Sequence, residues 1–490
     1  MNHLNFRKFL AAALAGLMLF AAAGCGKGKT TSEYWVYEEV DVSSGESGSS
    51  DNTSSDKKDD IKSNTSGKSS GSESGSKQNN NNQKYSFVDV GTKGANGKDY
   101  SNYNPYAGIE KYKGKTIKYA TWINHQQTEW AEPIKSFYKK YGIKVETVFC
   151  VQANYLEQVN ALIAAGKAPD IVVENAMSPS TFQVAQEFSN TGLDINEPFW
   201  DQKVIKGLNP TSKTYFVNSV NSTFQPFGIV VFQRDIMEAN GIKTPSDYYK
   251  EGKWTIDNML KCAREFAALG KDYGGVCAEG LHLRGIYNGP LVSFDGNQFK
   301  SNLTSQGCID AGKLALKIKN EKILGTVDGF VKGKTGIVML DSWALKKTGY
   351  LQGADGDSLG YTYLPTVKEG DKGVVTGFYR GYGIGKGSKN AVPAGMFLRY
   401  VLDPENINFD SNCFFNDEAT KFFYEAVKRN QDLADMRDYG YGIAATSGVE
   451  AATYLSGAND ESQVATIYKS HENEINAAIS KANGILNSAK

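Results

Sequence analysis

From residue 116 onward apolar positions fall into short runs and helical spacings, and that pattern sets the fold class. Thr116–Trp122 is rich in β-branched and aromatic residues and predicts a strand. Trp130, Ile134, Phe137, Tyr138 and Tyr141 then recur at helical spacing, one apolar face of a helix that Gly142 ends. Lys144–Cys150 predicts a second strand. Asn154 with Glu157 predicts an N-cap and its capping-box partner. Leu156, Val159, Leu162 and Ile163 give that helix its face, Gly166 closes it, and Pro169 precedes a third strand, Ile171–Val173. Strands alternating with helices at this pace predict an α/β protein built on a parallel sheet.

Ahead of that block the pattern inverts. From Ser43 to Lys84 Ile61 is the only apolar residue. Such a segment buries too little apolar surface to offset the entropy of ordering it, which predicts a disordered tether. As a flexible coil it reaches roughly 40 Å. The patch Tyr34-Trp35-Val36-Tyr37 interrupts it, either a lipid-interface anchor or a chance cluster. Further upstream, Arg7 and Lys8 precede an apolar run from Phe9 to Ala23 that is short for a membrane span. A basic start, a short apolar run and small residues before a cleavage point predict a secretory signal peptide over residues 1–24. Ala22-Ala23-Gly24-Cys25 resembles a bacterial lipobox, which implies cleavage before Cys25 and an acyl chain on its sulfur. The plainer reading is an ordinary signal peptide with an incidental cysteine. Residues 25–112 are then expected as a lipid-anchored flexible linker.

Charge and cysteine content narrow the function classes. Of 490 residues, 54 are Lys or Arg and 54 are Asp or Glu. Arg7 and Lys8 lie before Cys25, so the processed chain carries slightly more acid than base and no nucleic-acid partner is expected. The six cysteines (Cys25, Cys150, Cys262, Cys277, Cys308, Cys413) form no C-x-x-C pair and no disulfide framework. The four histidines (His3, His125, His282, His471) are scattered, so no zinc site and no cofactor are expected.

Several segments then fall in a familiar order. Trp122, Phe137-Tyr138-Lys139-Lys140-Tyr141-Gly142-Ile143-Lys144-Val145 and Ala164-Ala165-Gly166-Lys167-Ala168-Pro169-Asp170-Ile171-Val172 come first. Phe227–Asp235, Asn240-Gly241-Ile242, Pro245 and Trp254-Thr255 follow. Gly333–Met339 with Trp343, and Gly381-Tyr382-Gly383-Ile384 with Ser388-Lys389-Asn390, complete the series. Over about residues 115 to 430 the chain resembles the extracellular solute-binding proteins of bacterial ABC importers, in their carbohydrate-binding, maltose-binding-protein-like branch. One departure is Val231-Phe232-Gln233-Arg234, where the family has aromatic-Tyr-Asn-Lys. The resemblance implies a two-lobed periplasmic-binding-protein-like fold (type II), with discontinuous lobes joined by a hinge. Lobe one is expected at 113–223 and 374–405, lobe two at 224–373 and 406–490. It also implies a monomeric binding protein rather than an enzyme. Such a protein is held outside the cell on the membrane and hands a carbohydrate, an oligosaccharide, to importer permease subunits.

Ligands of open α/β sheets bind outside the carboxyl ends of strands. The first strand ends at Trp122, with Asn124 and His125 just beyond. The third ends at Glu174 and Asn175. The strand Gly336–Leu340 ends at Asp341, with Ser342 expected as N-cap and Trp343 in the first turn. Tyr379, Arg380 and Tyr382 lie at the expected return to lobe one. Indole and phenol faces cover the apolar faces of a sugar ring, and charged side chains take its hydroxyls in the stronger hydrogen bonds. These residues therefore suit an uncharged, hydroxyl-rich guest. Plainer readings stand beside these: Trp343 capping a core layer, Trp122 packing between sheet and helix, carboxylates capping helices. Trp130 and Trp254 are expected to be structural, and His125 a satisfied loop histidine.

Two motifs are set aside. Gly329–Thr335 resembles a phosphate-binding loop but is one residue short and leads into a strand. Asp355-Gly356-Asp357 lacks the ligand ladder of a calcium loop. The remaining alternatives are a surface glycosidase using Glu174 and Asp341, and a glycan-binding adhesin without transport. The first needs its carboxylates about 5–10 Å apart.

Overall fold

The computed structural model describes residues 88–125, 128, 130–174, 179–222, 228–371, 380–406, 414–433, 442–443 and 458–489. The strands are β1 (Thr116–Thr121), β2 (Lys144–Phe149), β3 (Ile171–Glu174), β4 (Ala185–Gln186), β5 (Phe216–Val217) and β6 (Gly228–Gln233). They continue as β7 (Gly274–Ala278), β8 (Val292–Phe294), β9 (Phe299–Ser301), β10 (Thr335–Asp341), β11 (Leu359–Tyr363) and β12 (Gly381–Gly385). The longer helices are α1 (Ala131–Tyr141), α2 (Tyr155–Ala164), α3 (Ile256–Ala267), α4 (Gln306–Asn320), α5 (Ala391–Val401), α6 (Asp417–Leu433) and α7 (Glu472–Ala489). Residues 1–24, expected as a signal peptide, and Cys25 and the polar stretch Ser43–Lys84 lie outside the described residues.

The first sheet has the order β2-β1-β3-β12-β4, with β5 also on β12. Its β1, β2 and β3 are parallel as expected, but β12 runs antiparallel between β3 and the short β4 and β5. The second sheet, β11-β6-β10-β7, is mixed as well: β6 is antiparallel to both neighbours, and only β10 and β7 run parallel. Both sheets are mixed because the chain changes lobe between strands, so returning strands enter from the opposite end. It passes from β5 to β6, from β11 back to β12, and again after α5, which packs on β12, to α6, which packs on β11. The two lobes are thus each discontinuous in sequence.

Local chemistry accounts for the elements. Phe137 at the centre of the α1 face is fully buried, while Tyr138 turns out to solvent. Gly142 ends α1 with φ +67°, a backbone position glycine adopts without penalty, and its N–H bonds the Tyr138 carbonyl. The expected Asn154 cap does not form. Asn154 closes a 3-10 turn, Gln152–Asn154, at φ −119° and ψ 20°, instead of the extended backbone from which a cap side chain reaches back. In lobe two, Thr255 caps α3 through the Asn258 N–H. Gly275 lets β7 pass under α3, where a Cβ would stand 2.2 Å from the Ala263 carbonyl oxygen. The departure at Gln233-Arg234 is absorbed by new partners. Gln233 Nε2 donates to the Phe330 carbonyl at 2.6 Å, and Arg234 pairs with Glu418 and bonds the Asp357 carbonyl.

Two segments behave differently from the sequence expectation. Residues 88–112, expected in the linker, wrap lobe one. Val88 and the Asn221 side chain exchange hydrogen bonds, Tyr100 donates to Asp194, and Ile109 is buried. The helix α7, expected with lobe two, packs on β9 and also on the lobe-one turn Pro179–Gln183. Asn483 on α7 holds Phe299 by two hydrogen bonds, and Tyr215 donates to the Ala489 carbonyl.

Candidate functional site

In lobe one the site is set by strand ends. Trp122 follows β1, and the register Gly381↔Glu174 brings Arg380 beside the end of β3. The Arg380 guanidinium carbon stands 5.5 Å from the Trp122 ring centroid. Trp122 is half-buried, and its ring meets Tyr155 edge-on at 5.1 Å. Tyr155 is itself fixed: its hydroxyl donates to the Ala120 carbonyl at 3.1 Å and accepts the Val173 N–H at 2.8 Å. The indole is therefore seated by β1, β3 and α2 together. Glu174 is buried at the end of β3, and Asn124 is exposed beyond β1.

In lobe two Asp341 ends β10 and caps the 3-10 turn Ser342–Leu345. Its Oδ1 accepts the Trp343 N–H at 2.8 Å and its Oδ2 accepts the Tyr350 hydroxyl at 3.0 Å. Asp341, not Ser342, is the cap, because its backbone is still extended (φ −79°, ψ 173°) where Ser342 is already in the turn. Trp343 is half-buried, with the Lys346 ammonium 4.9 Å from its ring centroid. Each lobe thus offers an indole with a cation over it. Burial raises the Asp341 carboxyl above its ordinary value, against the pull of the Trp343 N–H, the Tyr350 hydroxyl, Arg380 and Lys346. Asp341 of lobe two and Arg380 of lobe one therefore act on one another through space.

The other sequence candidates divide. Tyr382 is a fully buried core ring, 5.3 Å from Trp130, and is not brought to the strand-end surface. It lies on β12, every residue of which is buried. Asn175 and Tyr379 lie outside the described residues. Trp130 is wholly buried, and Trp254 donates its indole N–H to the Tyr363 carbonyl at 2.8 Å. His125 lies buried between the Tyr119 and Trp130 rings, with Nδ1 3.2 Å from the Thr128 hydroxyl. Burial, then Arg380 and Lys346, hold it neutral. Tyr350 and Lys346 were missed by sequence reasoning, since both sit in the loop after β10 rather than at a strand end. A Tyr nine residues past a strand-end Asp carries no local signal.

Gly329 lies in a short helix, Val327–Val331, that leads into β10, so no phosphate loop exists there. Asp355 caps the turn Gly356–Ser358. Among the described residues no group of three or more His, Cys, Asp or Glu side chains is arranged to hold a metal ion. An open groove of about 690 Å³ lies away from all these residues, between α7 and the segment 182–190.

Two sheets bearing aromatic faces and polar groups at their strand ends, joined by repeated chain crossings, define a two-lobed ligand-binding protein. The chain belongs to the bacterial extracellular solute-binding proteins, whose family model matches residues 122–407. Solved structures share the fold. The GacH receptor of Streptomyces glaucescens, studied with acarbose, is 15% identical (TM-score 0.56, 74% of this chain and 98% of that one). The galacto-N-biose/lacto-N-biose I-binding protein of Bifidobacterium longum is 13% identical (TM-score 0.57, 75% and 97%). UgpB of Mycobacterium tuberculosis, in complex with glycerophosphocholine, is 13% identical (TM-score 0.55, 75% and 99%). No curated protein sequence matches the chain. By family it is a binding protein of the extracellular solute-binding class, not an enzyme, which removes the glycosidase alternative.

Proposed function

We propose that this protein is a lipid-anchored receptor on the extracellular face of the bacterial cell membrane, which captures an oligosaccharide and delivers it to an ABC importer permease. The observation that carries the reading is the pair of half-buried indoles, Trp122 and Trp343, at strand ends of different lobes, each beside hydrogen-bonding charge. A sugar ring needs that combination: a flat apolar face beneath it and directional donors and acceptors at its rim. Trp122, Asn124, Glu174, Arg380 and the undescribed Asn175 and Tyr379 are the contacts from lobe one. Asp341 and Trp343 are the contacts from lobe two, with Tyr350 added. Tyr382 acts from beneath by supporting β12. Two solved proteins of this fold were studied with acarbose and lacto-N-biose, which supports the sugar class.

Capture works by hinge closure. A guest that touches both lobes favours the state in which they meet, by as much as its contacts differ between states. Cys25 carries the acyl chain and residues 25–87 give the lobes their reach. Titration calorimetry against a panel of oligosaccharides tests the binding reading; well-folded protein giving no heat with any of them refutes it. Cys25→Ser should move the protein from the membrane fraction to the medium, and unchanged membrane association refutes the anchor.

A further inference from the structure

The end of lobe one opposite the strand-end site carries unmatched positive charge. The parallel strands β1, β2 and β3 begin there, and β12, which runs the other way, ends there. Lys113 and Lys115 precede β1, and both are exposed. Lys139 and Lys140 are exposed in the last turn of α1, beside Gly142, whose carbonyl accepts the Gly114 N–H at 2.8 Å. Lys167 is exposed just ahead of β3. Lys386 and Lys389, also exposed, follow β12, and a Cβ on Gly387 would stand 3.7 Å from the Ala168 side chain, so these two segments adjoin. Segments far apart in sequence thus deliver lysines to one end of one sheet.

Among the described residues no carboxylate pairs with these lysines, and the acids on the same segments are engaged. Asp170 is buried and accepts from the Lys118 N–H, Ser388 and Asn390. Glu146 pairs with Lys144 at 3.3 Å. Glu187, which shares a groove with Lys386, pairs with Lys213 at 3.4 Å. Glu110 and Lys111 offset one another in the turn Ile109–Tyr112. Lysines on lobe two behave differently: Lys250 pairs with Asp247, Lys261 with Glu265, Lys332 with Asp328 and Lys334 with Asp272. The whole chain balances 54 basic side chains against 54 acidic ones, so the excess at this pole is local. Lys139 and Lys140 also offset the negative end of α1, but Lys113, Lys115, Lys386 and Lys389 lie outside any helix and have no such role.

Clustered, exposed ammonium groups attract an anionic surface, and the attraction fades within a Debye length, about 10 Å at 0.1 M salt. β1 is six residues long, which puts the pole about 20 Å from Trp122 at its other end. A surface held at the pole therefore leaves the strand-end site clear. We infer that this pole is a docking surface for anionic phospholipid headgroups, which seats lobe one on the membrane with its ligand site turned away. The inference goes beyond the anchor reading: the acyl chain keeps the protein near the membrane, and the pole decides which way round it sits.

The test uses the full chain from residue 25 with Cys25→Ser, which carries no acyl group. The vesicles are phosphatidylcholine alone, or an equal mixture of phosphatidylcholine and phosphatidylglycerol. Co-sedimentation should show binding to the mixed vesicles at least tenfold tighter than to the neutral ones, and the binding should be lost as salt is raised. The combined variant Lys113→Gln, Lys115→Gln, Lys167→Gln, Lys386→Gln should bind at least tenfold more weakly, with its urea unfolding midpoint unchanged. The combined variant Lys250→Gln, Lys261→Gln, Lys332→Gln, Lys334→Gln removes the same charge from lobe two and should bind as the parent does. If both variants weaken alike, net charge is responsible and the inference falls. If the lobe-one variant binds as the parent does, the contact belongs to residues 25–87 and the inference falls. If soluble polyphosphate binds and the mixed vesicles do not, the partner is a polyanion other than lipid, and the inference again falls. None of these outcomes touches the anchor reading, which rests on fractionation of the chain that retains Cys25.

Discussion

The Tyr350 hydroxyl donates to Asp341 Oδ2 at 3.0 Å, and the other oxygen of Asp341 holds the Trp343 N–H at 2.8 Å. One carboxylate thus fixes the start of the turn that carries the lobe-two indole. Asp341→Ala removes that cap and should destabilise the protein by about 1 kcal/mol. Asp341→Asn caps nearly as well and should cost only a few tenths of that. Urea unfolding of the two variants checks the difference. Equal losses show that the charge, not the cap, is what Asp341 contributes.

Trp343 depends on that turn. If it is a face for the guest, Trp343→Ala should weaken binding by at least tenfold, about 1.4 kcal/mol. It is only half-buried and borders the apolar cluster that runs from the first sheet to α7, so the protein should remain folded. Trp130→Ala, by contrast, should unfold or strongly destabilise lobe one, because its ring is wholly buried against His125, Tyr382 and Phe397. Calorimetric affinity and the unfolding midpoint, measured on both variants, separate the two roles. An unchanged affinity in Trp343→Ala removes it from the site.

The sequence reached α1, β1 to β3 and the three-residue neighbourhoods of Asp341 and Trp122 because each is encoded locally. Phe137 and Gly142 set a helix and its stop, and strand ends follow from β-branched runs. What it missed is non-local. Tyr138 falls on the helical stripe but faces solvent. The insertion of β12 beside β3 brings Arg380 to Glu174 across more than two hundred residues of chain, and no spacing reveals that. Tyr382 lies on the strand that returns to lobe one, but that strand is buried along its whole length and the ring packs on Trp130, a contact no local spacing reveals.

Acid should destabilise the protein through its buried histidines. Burial, and then Arg284, pull His282 from the ordinary 6.5 down to about 3. Between those values the unfolded chain holds one more proton than the native one, so stability rises with pH and is lost as pH falls below about 6.5. From pH 7 to pH 5 the loss from this residue alone is about 2 kcal/mol. His125 is shifted in the same direction and adds to it. Urea unfolding at both pH values should show the drop, and His282→Met should reduce it. A pH dependence identical in the variant and the parent contradicts the assignment.

The strap formed by residues 88–112 should be part of the folded unit rather than of the linker. Tyr106 stacks on Tyr141 at 5.7 Å and meets Tyr400 edge-on at 6.2 Å, so it covers the junction of α1 and α5. Ile109 is buried, and the Asp194 N–H donates to the Tyr103 hydroxyl at 3.1 Å. Val88 is tied to Asn221, in the first passage from lobe one to lobe two. A chain that begins at residue 86 keeps all of this and should unfold at the same urea midpoint as the processed protein. A chain that begins at residue 113 strips Tyr106 and Ile109 from α1 and α5. At about 1.5–3 kcal/mol for each large apolar side chain, it should lose at least 3 kcal/mol. Equal midpoints for the two truncations would mean that the strap only rests on lobe one and adds nothing to its stability.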